Sequence, residues 1–448
     1  MSRIFIRSTE LGLLIVAAIA FAATLASFEL SQVSTLSVQF LYYVGGFIGV
    51  YAIAHLAITF LAPHADQVLL PVVSLLNAVG LVVIYRLDLA ERPGYGPLAE
   101  RQMLWSLVGV GLMVLTLIVV RDHKALSRYS YLLGLLGLIL LALPLVWPQP
   151  PGYEDARIWL WLGPFSIQPG EFSKILLLIF FAQLLAQKRA LFTVAGKRFL
   201  GLTFPRLRDL APILMVWAIA ILIMAVSNDF GPALLLFATV LGMVYFATDR
   251  ASWLFIGLAL VAVGGYAVYQ VSAKIQERVS NFIDPFADFE GIGNQPANAL
   301  IGLSWGGITG TGLGYGHPEL VPVAHSDYIL AALGEELGFV GIAAVLCLFG
   351  VFITRGFRTA MQARDSYGKL LASGLALTIA IQIFVVAGGV SAMLPMTGLT
   401  TPFMSAGGSS VMANYILLGL LLRISNGANR PADYDAVAAA QPEEVSVR

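Results

Sequence analysis

The chain has 448 residues, of which 58% are hydrophobic and 12% charged, with a mean hydropathy of +0.83. Soluble domains carry roughly 25% charged residues, and here 26 Lys and Arg cancel 26 Asp and Glu. These figures exclude an electrostatic nucleic-acid binder, which needs a basic excess or face, and a disordered or disulfide-stapled secreted chain. The single cysteine, Cys347, lies in an apolar run and reads as a small hydrophobe.

A membrane-spanning helix needs about 20 mostly apolar residues. Twelve runs qualify as candidates: 11–29, 39–61, 68–87, 103–120, 131–147, 173–187, 210–227, 231–248, 252–270, 336–354, 370–390 and 410–424. The sixth is short, and Lys174 interrupts its start. The expected fold is therefore all-α, a polytopic integral protein of the lipid bilayer. The basic start ahead of the first run resembles that of a signal peptide. The run is long and a second follows at once, which predicts an uncleaved signal-anchor.

The positive-inside rule orients the chain. With the N-terminus in the cytoplasm, inner segments hold 19 of the 26 basic residues and outer ones 6, with Lys174 at a boundary. The acidic residues divide the other way, 16 outside and 10 inside. Both termini are thus expected in the cytoplasm, and the neutral total conceals a dipolar protein. The tail from about Asn426 is polar and Ala-rich, a composition that predicts disorder. One long loop, from about Val271 to Glu335, joins spans nine and ten on the outer side, and loops of that length are usually functional or disordered. Its ALIGLSWGGI stretch is apolar enough to dip into the membrane edge.

In so apolar a chain, ionisable residues near helix ends are the informative ones. Four outer clusters stand out. ARIWLWLGPFSIQPGEFSK begins at Ala156; Pro164, Pro169 and its glycines preclude a regular helix, so a loop at the outer leaflet is expected, with Trp159 and Trp161 suited to the interface. Glu171 and Lys174 share a helical face at i, i+3. They form either an internal ion pair or, through Lys174 or Arg157, a contact to an anionic head group. Asp229, in the short turn SNDFGPALL, is either a helix cap or a partner for Lys174. In the long loop, Gly306, Gly307, Gly310, Gly312, Gly314 and Gly316 lack the GK[ST] and strand-loop-helix context of a nucleotide cradle, so close backbone packing is the better reading. His325 and Asp327 follow, just before Glu335 and Glu336. A solvated pair or a working carboxylate are both open, and a zinc site is excluded by too few ligands. The fourth cluster, MLPMTGLTTPFMSAGGSS, has no charge; Ser409 and Ser410 at the next helix start suit either a cap or an anion or sugar contact.

Taken in order, the segments RQMLW (101–105), ARIWLWLGPFSIQPGEFSK (156–174), NDFGPALLL (228–236), DPFAD (284–288), GGITGTGLG (306–314), AHSDYILAALGEELGFVG (324–341) and LPMTGLTTPFMSAGGSS (394–410) resemble the SEDS family (shape, elongation, division and sporulation), polytopic peptidoglycan glycosyltransferases. The resemblance covers about 67–425 and includes features similar to the actinobacterial RodA branch, among them two extra helices in 1–66 ahead of a ten-helix core; 426–448 is the tail. It implies polymerisation of lipid II onto a growing glycan strand at the outer membrane face, with inversion at the anomeric carbon. It also implies a class B penicillin-binding protein transpeptidase as partner. Within that resemblance Asp327 is the catalytic carboxylate, while Glu171, Lys174 and Asp229 match further family positions. Arg101, Arg157 or Lys174 would hold the diphosphate, with Gln295, His325, Ser409 and Ser410 as further substrate contacts. A diphosphate leaves without protonation when its charge is met, so one base suffices where glycosidases need two carboxylates. Metal dependence is left open by the sequence: no cofactor is certain, and a divalent cation could screen the diphosphate. The chain departs from the family pattern after DPFAD, where only Gly293 and Gln295 of the usual run remain. It also has Ala406 for a Tyr and Ser326 for a Thr. A flippase for the lipid-linked precursor is the alternative activity, and a scaffold for a larger complex an additional role; a flippase should carry substrate-facing charges at mid-membrane, whereas here they gather outside.

Overall fold

The computed structural model describes residues 7–33, 35–90, 97–150, 156–163, 165–193, 197–199, 202–204 and 207–431. In chain order the helices are α1 (Ser8–Val33), α2 (Val38–Leu61), α3 (Leu69–Asp88), α4 (Leu98–Val119), α5 (Lys124–Arg128), α6 (Ser130–Val146), α7 (Pro169–Thr193), α8 (Leu207–Val226), α9 (Phe230–Thr248) and α10 (Ser252–Val271). Then come α11 (Ala273–Ile283), α12 (Asn294–Gly306), α13 (Ile329–Gln362), α14 (Ser366–Val390) and α15 (Gly408–Ala428). Each predicted apolar run falls on its own helix. Among the described residues ten helices are long and apolar enough to cross a membrane, and the runs at 131–147 and 210–227 fall on shorter apolar helices. The chain is a multi-pass membrane protein.

α3 and α15 are buried along nearly their whole length, α15 packing on α4 and α3 on α1 and α13. α10 stays exposed on almost every side. Between helices in lipid, association rests on close packing and on polar bonds rather than on the hydrophobic effect. Both are present: Asn77 of α3 donates to the Phe403 carbonyl at 3.2 Å, and the Tyr51 and Tyr415 hydroxyls meet at 2.6 Å, tying α2 to α15. Near the chain's two ends, buried Arg423 donates to the Leu61 carbonyl at 3.0 Å. The last helix runs to Ala428, past Asn426, whose side chain is buried and accepts from the His64 backbone N–H. The helix thus continues past the position where the sequence placed the start of the tail; the tail from 432 onward lies outside the described residues, as does the basic start before Arg7.

Two predicted loops contain regular secondary structure. Within 156–168, β1 (Leu160–Leu162) pairs antiparallel with β2 (Phe165–Ile167), and Gly163 after β1 has φ +65°; Pro164 lies outside the described residues. The Phe165 ring meets Trp105 of α4 edge-on at 6.4 Å, which fixes the hairpin to the bundle.

The stretch from Val271 to Glu335, expected as one long loop, holds α11, α12 and a 3-10 turn at Pro318–Leu320. α13 starts at Ile329, seven residues before the predicted span, so Glu335 and Glu336 lie inside a helix, both buried. The acid pair looked like a boundary because unpaired charges are expensive in a bilayer. Here they are met: Arg86 of α3 donates to Glu336 at 2.9 Å and to Glu319 at 3.2 Å, and the His317 backbone N–H donates to Glu335.

α13 breaks at Gly338, whose φ of +66° suits glycine. A break inside a membrane leaves backbone groups unpaired, each expensive in hydrocarbon. The glycine-rich stretch supplies the partners. Thr311 and Gly312 donate to the Glu335 and Glu336 carbonyls, both at 3.0 Å, while Phe339 and Val340 donate to the Gly307 and Ile308 carbonyls at 2.9 and 3.1 Å. The glycines serve backbone packing, as the sequence indicated.

Candidate functional site

The site is built around the uncharged segment 394–410 between α14 and α15. Almost every polar element on this side of the bundle reaches it. The Gln102 amide of α4 donates to the Ser405 carbonyl at 3.1 Å, and the Gln382 amide of α14 donates to the Thr400 carbonyl at 2.7 Å. The Ser405 hydroxyl donates to the Ser326 carbonyl at 2.6 Å, and the Ala406 N–H donates to the His325 carbonyl at 2.8 Å. Ser409 accepts from the Gln168 N–H at 2.9 Å, one residue before α7 begins, and Ser410 bonds Thr400 at 2.8 Å. The two serines thus fasten α7 and the loop to the start of α15; both are buried.

Asp327 lies at the end of the loop before α13, in a cavity of about 150 Å³ lined also by Arg278, Asn281, Gln295, Tyr328 and Gly398. Arg278 comes from α11, a helix started by Ser272, whose hydroxyl accepts from the Ile275 N–H. Its guanidinium donates to the Thr397 carbonyl at 3.0 Å. Gly398, at φ +74°, sits between the two charges: a Cβ there would lie 3.1 Å from Arg278 Nη2 and 3.6 Å from Asp327 Oδ2. The two charges both approach this position and influence one another without forming a direct ion pair. The Thr397 hydroxyl is buried with no hydrogen-bond partner.

Burial pushes the Asp327 carboxyl above its ordinary range, opposed by the Ser326 hydroxyl, which donates to it at 2.8 Å, and by the charge of Arg278. Burial conversely lowers Arg278, against the pull of Asp327 and Asp229. Burial also lowers His325. The chain enters this region through Val323, a β-branched residue at φ +55°, a conformation sparsely populated and often found at functional sites. Gln295 of α12 steadies that turn by donating to the Pro322 carbonyl at 2.8 Å.

Asp229 precedes α9 and makes no side-chain cap bond. Burial first, then the charge of Glu171, pushes its carboxyl up to about 7, while Lys274 and Arg278 pull it down. Its cationic neighbours are therefore Lys274 and Arg278. Of the two readings of Asp229, a cap or a partner for Lys174, neither contact is formed: Lys174 pairs with Glu171 at 2.7 Å, one turn back on α7, and lies 3.5 Å from the Gln382 side-chain oxygen. Of the two readings of Glu171 and Lys174, the structure displays the internal ion pair.

Asp327, Asp229, Glu171, Lys174, Gln295, His325, Ser409 and Ser410 thus converge on one side of the bundle. Arg101 and Arg157 are exposed and line neither the Asp327 cavity nor the small one beside Lys174; the charge of Arg101 acts on Asp88 instead. The sequence did not single out Arg278, Lys274 or Gln382. The first two were counted only as outer basic residues, and their one local signal is the amphipathic run AKIQERV that makes α11.

This arrangement has counterparts among known proteins. The family model described as cell cycle protein, FtsW/RodA/SpoVE, matches residues 66–430. The chain is 50% identical over 429 residues to the peptidoglycan glycosyltransferase RodA of Mycobacterium tuberculosis, covering 95% of this chain and 92% of that protein. It is 32% identical over 368 residues to the stage V sporulation protein E of Bacillus subtilis, covering 80% and 96%. A chain from a structure of a peptidoglycan synthase complex, concerned with the coordination of polymerization and crosslinking, superposes with a TM-score of 0.64 at 26% identity, over 82% of this chain and 99% of that one. The Thermus thermophilus rod shape determining protein RodA shares the fold, with a TM-score of 0.59 at 24% identity over 82% and 98%. The chain belongs to the FtsW/RodA/SpoVE family. Among these relatives its similarity is greatest to the mycobacterial RodA, in line with the branch suggested by the sequence.

Proposed function

We propose that the chain is a peptidoglycan glycosyltransferase that polymerises lipid II at the outer face of the cytoplasmic membrane, with both termini in the cytoplasm. The activity rests on the names of its relatives, and the RodA-type similarity favours a role in cell elongation and shape over division. The observation that carries the mechanism is that Asp327 and Arg278 line one cavity and both approach Gly398 there. Asp327 takes the proton from the acceptor sugar's 4-hydroxyl. The freed electron pair attacks the anomeric carbon of the donor, and the bond from that carbon to the undecaprenyl diphosphate breaks on the opposite face. The leaving diphosphate then needs cations, which bind it through charge-assisted bonds. Arg278 is the nearer candidate and Lys174 the second, in place of Arg101 and Arg157. A carboxylate raised by partial desolvation is the stronger base for this step. A transpeptidase of the class B penicillin-binding type is the proposed partner, supported by the likeness to a chain of a peptidoglycan synthase complex.

The test is purified protein incubated with lipid II, wild type beside Asp327→Asn, each shown to be folded by monodisperse elution. Glycan polymer is expected from the first and not from the second. Polymer from Asp327→Asn would remove Asp327 as base. No polymer from either, together with lipid II transfer across vesicles, would replace the polymerase with a flippase.

A further inference from the structure

Gln382 lies inside α14, eight residues or about 12 Å before the helix end at Val390, and is fully buried. A polar side chain at that depth is costly unless both ends of its amide are met. Both are. Its N–H donates to the Thr400 carbonyl at 2.7 Å, and its Oε1 accepts from Lys174 Nζ at 3.5 Å. These partners decide which end of the amide is which, because a carbonyl can only accept and an ammonium can only donate. Lys174 therefore has two partners, Glu171 on its own helix and Gln382 on α14. The second links it, through the amide, to the uncharged loop. Three residues before Thr400, the Thr397 carbonyl accepts from Arg278 at 3.0 Å, a separation of at most about 10 Å along the chain. Leu399 between them is buried, and the Thr400 hydroxyl bonds Ser410 at 2.8 Å, so this stretch is fastened independently of either cation. Arg278 is bound to it directly and Lys174 through Gln382.

From these contacts we propose that Gln382 is a positioning residue: its amide keeps Lys174 in register with the 397–400 segment that holds Arg278, so that both cations serve one diphosphate. The proposal rests on the polymerase reading above, in which these two side chains receive the leaving group. Gln382 supplies no charge and touches no reacting atom. Its oxygen gives the ammonium a neutral partner beside the carboxylate of Glu171, which orients Lys174 without cancelling more of its charge. A second carboxylate at this position would hold Lys174 more tightly and leave it little positive potential for a diphosphate. An apolar side chain would release it to Glu171 alone and cut its tie to the loop.

The experiment measures binding of undecaprenyl diphosphate to the detergent-solubilised full-length protein by native mass spectrometry, with undecaprenol as the uncharged control. Four proteins are compared: wild type, Gln382→Met, Lys174→Met made together with Glu171→Gln so that no buried carboxylate loses its cation, and all three changes combined. Gln382→Met and the Lys174 variant should each weaken diphosphate binding about tenfold, as loss of a charged contact does. The combined protein should bind no worse than the weaker of the two, because Gln382 then has no cation left to place. Undecaprenol should bind all four alike. Gln382→Asn, which keeps the amide but is one methylene shorter, should behave as Gln382→Met does. Losses that multiply in the combined protein would show Gln382 acting apart from Lys174 and overturn the proposal. So would undiminished diphosphate binding in either folded Gln382 variant, equal weakening toward undecaprenol (the mark of a disturbed loop), or no diphosphate binding by wild type. Because the readout is binding, a wild type that holds undecaprenyl diphosphate but makes no polymer from lipid II would sink the polymerase reading alone, with the coupling of Gln382 to Lys174 still measured.

Discussion

Asp229→Asn should make the protein more stable at alkaline pH than at acid pH, relative to wild type. The folded carboxyl is held near 7 against an ordinary 3.8, chiefly by burial and then by Glu171. Between those values the folded state binds the proton and the unfolded state does not, so stability falls as pH rises through the interval and levels off above about 7. At 1.36 kcal/mol per unit, the full penalty approaches about 4 kcal/mol as an upper figure. Between pH 5 and pH 8 the share that develops is roughly 2–3 kcal/mol. Asparagine carries no such charge, and comparing the two proteins at both pH values cancels whatever contacts the substitution alters. Thermal unfolding followed by intrinsic tryptophan fluorescence in nanodiscs is the assay. The variant's advantage over wild type should grow between pH 5 and pH 8. An advantage that is flat or shrinks with pH would mean that Lys274 and Arg278 already neutralise Asp229, and that the desolvation argument fails.

Arg278→Met should lower kcat/KM for lipid II polymerisation by about 10²–10³-fold, as loss of one group that stabilises developing charge does. It should also move the acid limb of the rate profile to higher pH, because Arg278 holds the Asp327 carboxyl down and activity requires the deprotonated base; Arg278→Lys should preserve the limb better than the rate. Gly398→Ala forces a side chain into φ +74° and against Arg278, which should cost about 1–2 kcal/mol in backbone strain and 10–100-fold in turnover through displaced groups, while binding of the partner transpeptidase in pull-down is unchanged. Gly338→Ala would drive a Cβ into the backbone of Ile308 and Gly310 and should abolish recovery of monodisperse protein, whereas Gly350→Ala, which meets nothing within 4 Å, should purify normally.

The transmembrane scaffold was legible because run length and hydropathy are local properties, and α2, α9 and α10 match their predicted runs to within a residue at each end. Errors came where a cost was assumed to be unpaid. Glu335 read as the end of a loop and Glu336 as the first residue of a span because Arg86, about 250 positions earlier, gives no local sign that it will meet Glu336. The 160–167 hairpin was hidden because two three-residue strands leave too short an alternation to register. Glu171 and Lys174 were correctly placed on one face by i, i+3 spacing, while their actual pairing removed Lys174 from Asp229. Arg278 was the largest omission. It has no motif of its own, and its cavity exists only when α11, the loop before α13 and the loop before α15 come together, three segments separated by dozens of residues.

That convergence also accounts for the neutrality of 394–410. At a membrane edge, water is scarce and charges act over longer distances than in bulk solvent. A carboxylate in this loop would pair with Arg278 and cancel the positive potential that a diphosphate needs. Carbonyls do the positioning without cancelling it: Thr397 holds Arg278, while Thr400 and Ser405 hold Gln382 and Gln102. Replacing Thr400 or Ser405 by Ala leaves those carbonyls in place, so neither change should remove the anchoring of Gln382 or Gln102. Thr397→Asp, by contrast, introduces the cancelling charge beside Arg278 and should abolish polymerisation while the protein still folds. If Thr397→Asp polymerised lipid II at the wild-type rate, Arg278 would not be the cation that receives the leaving group.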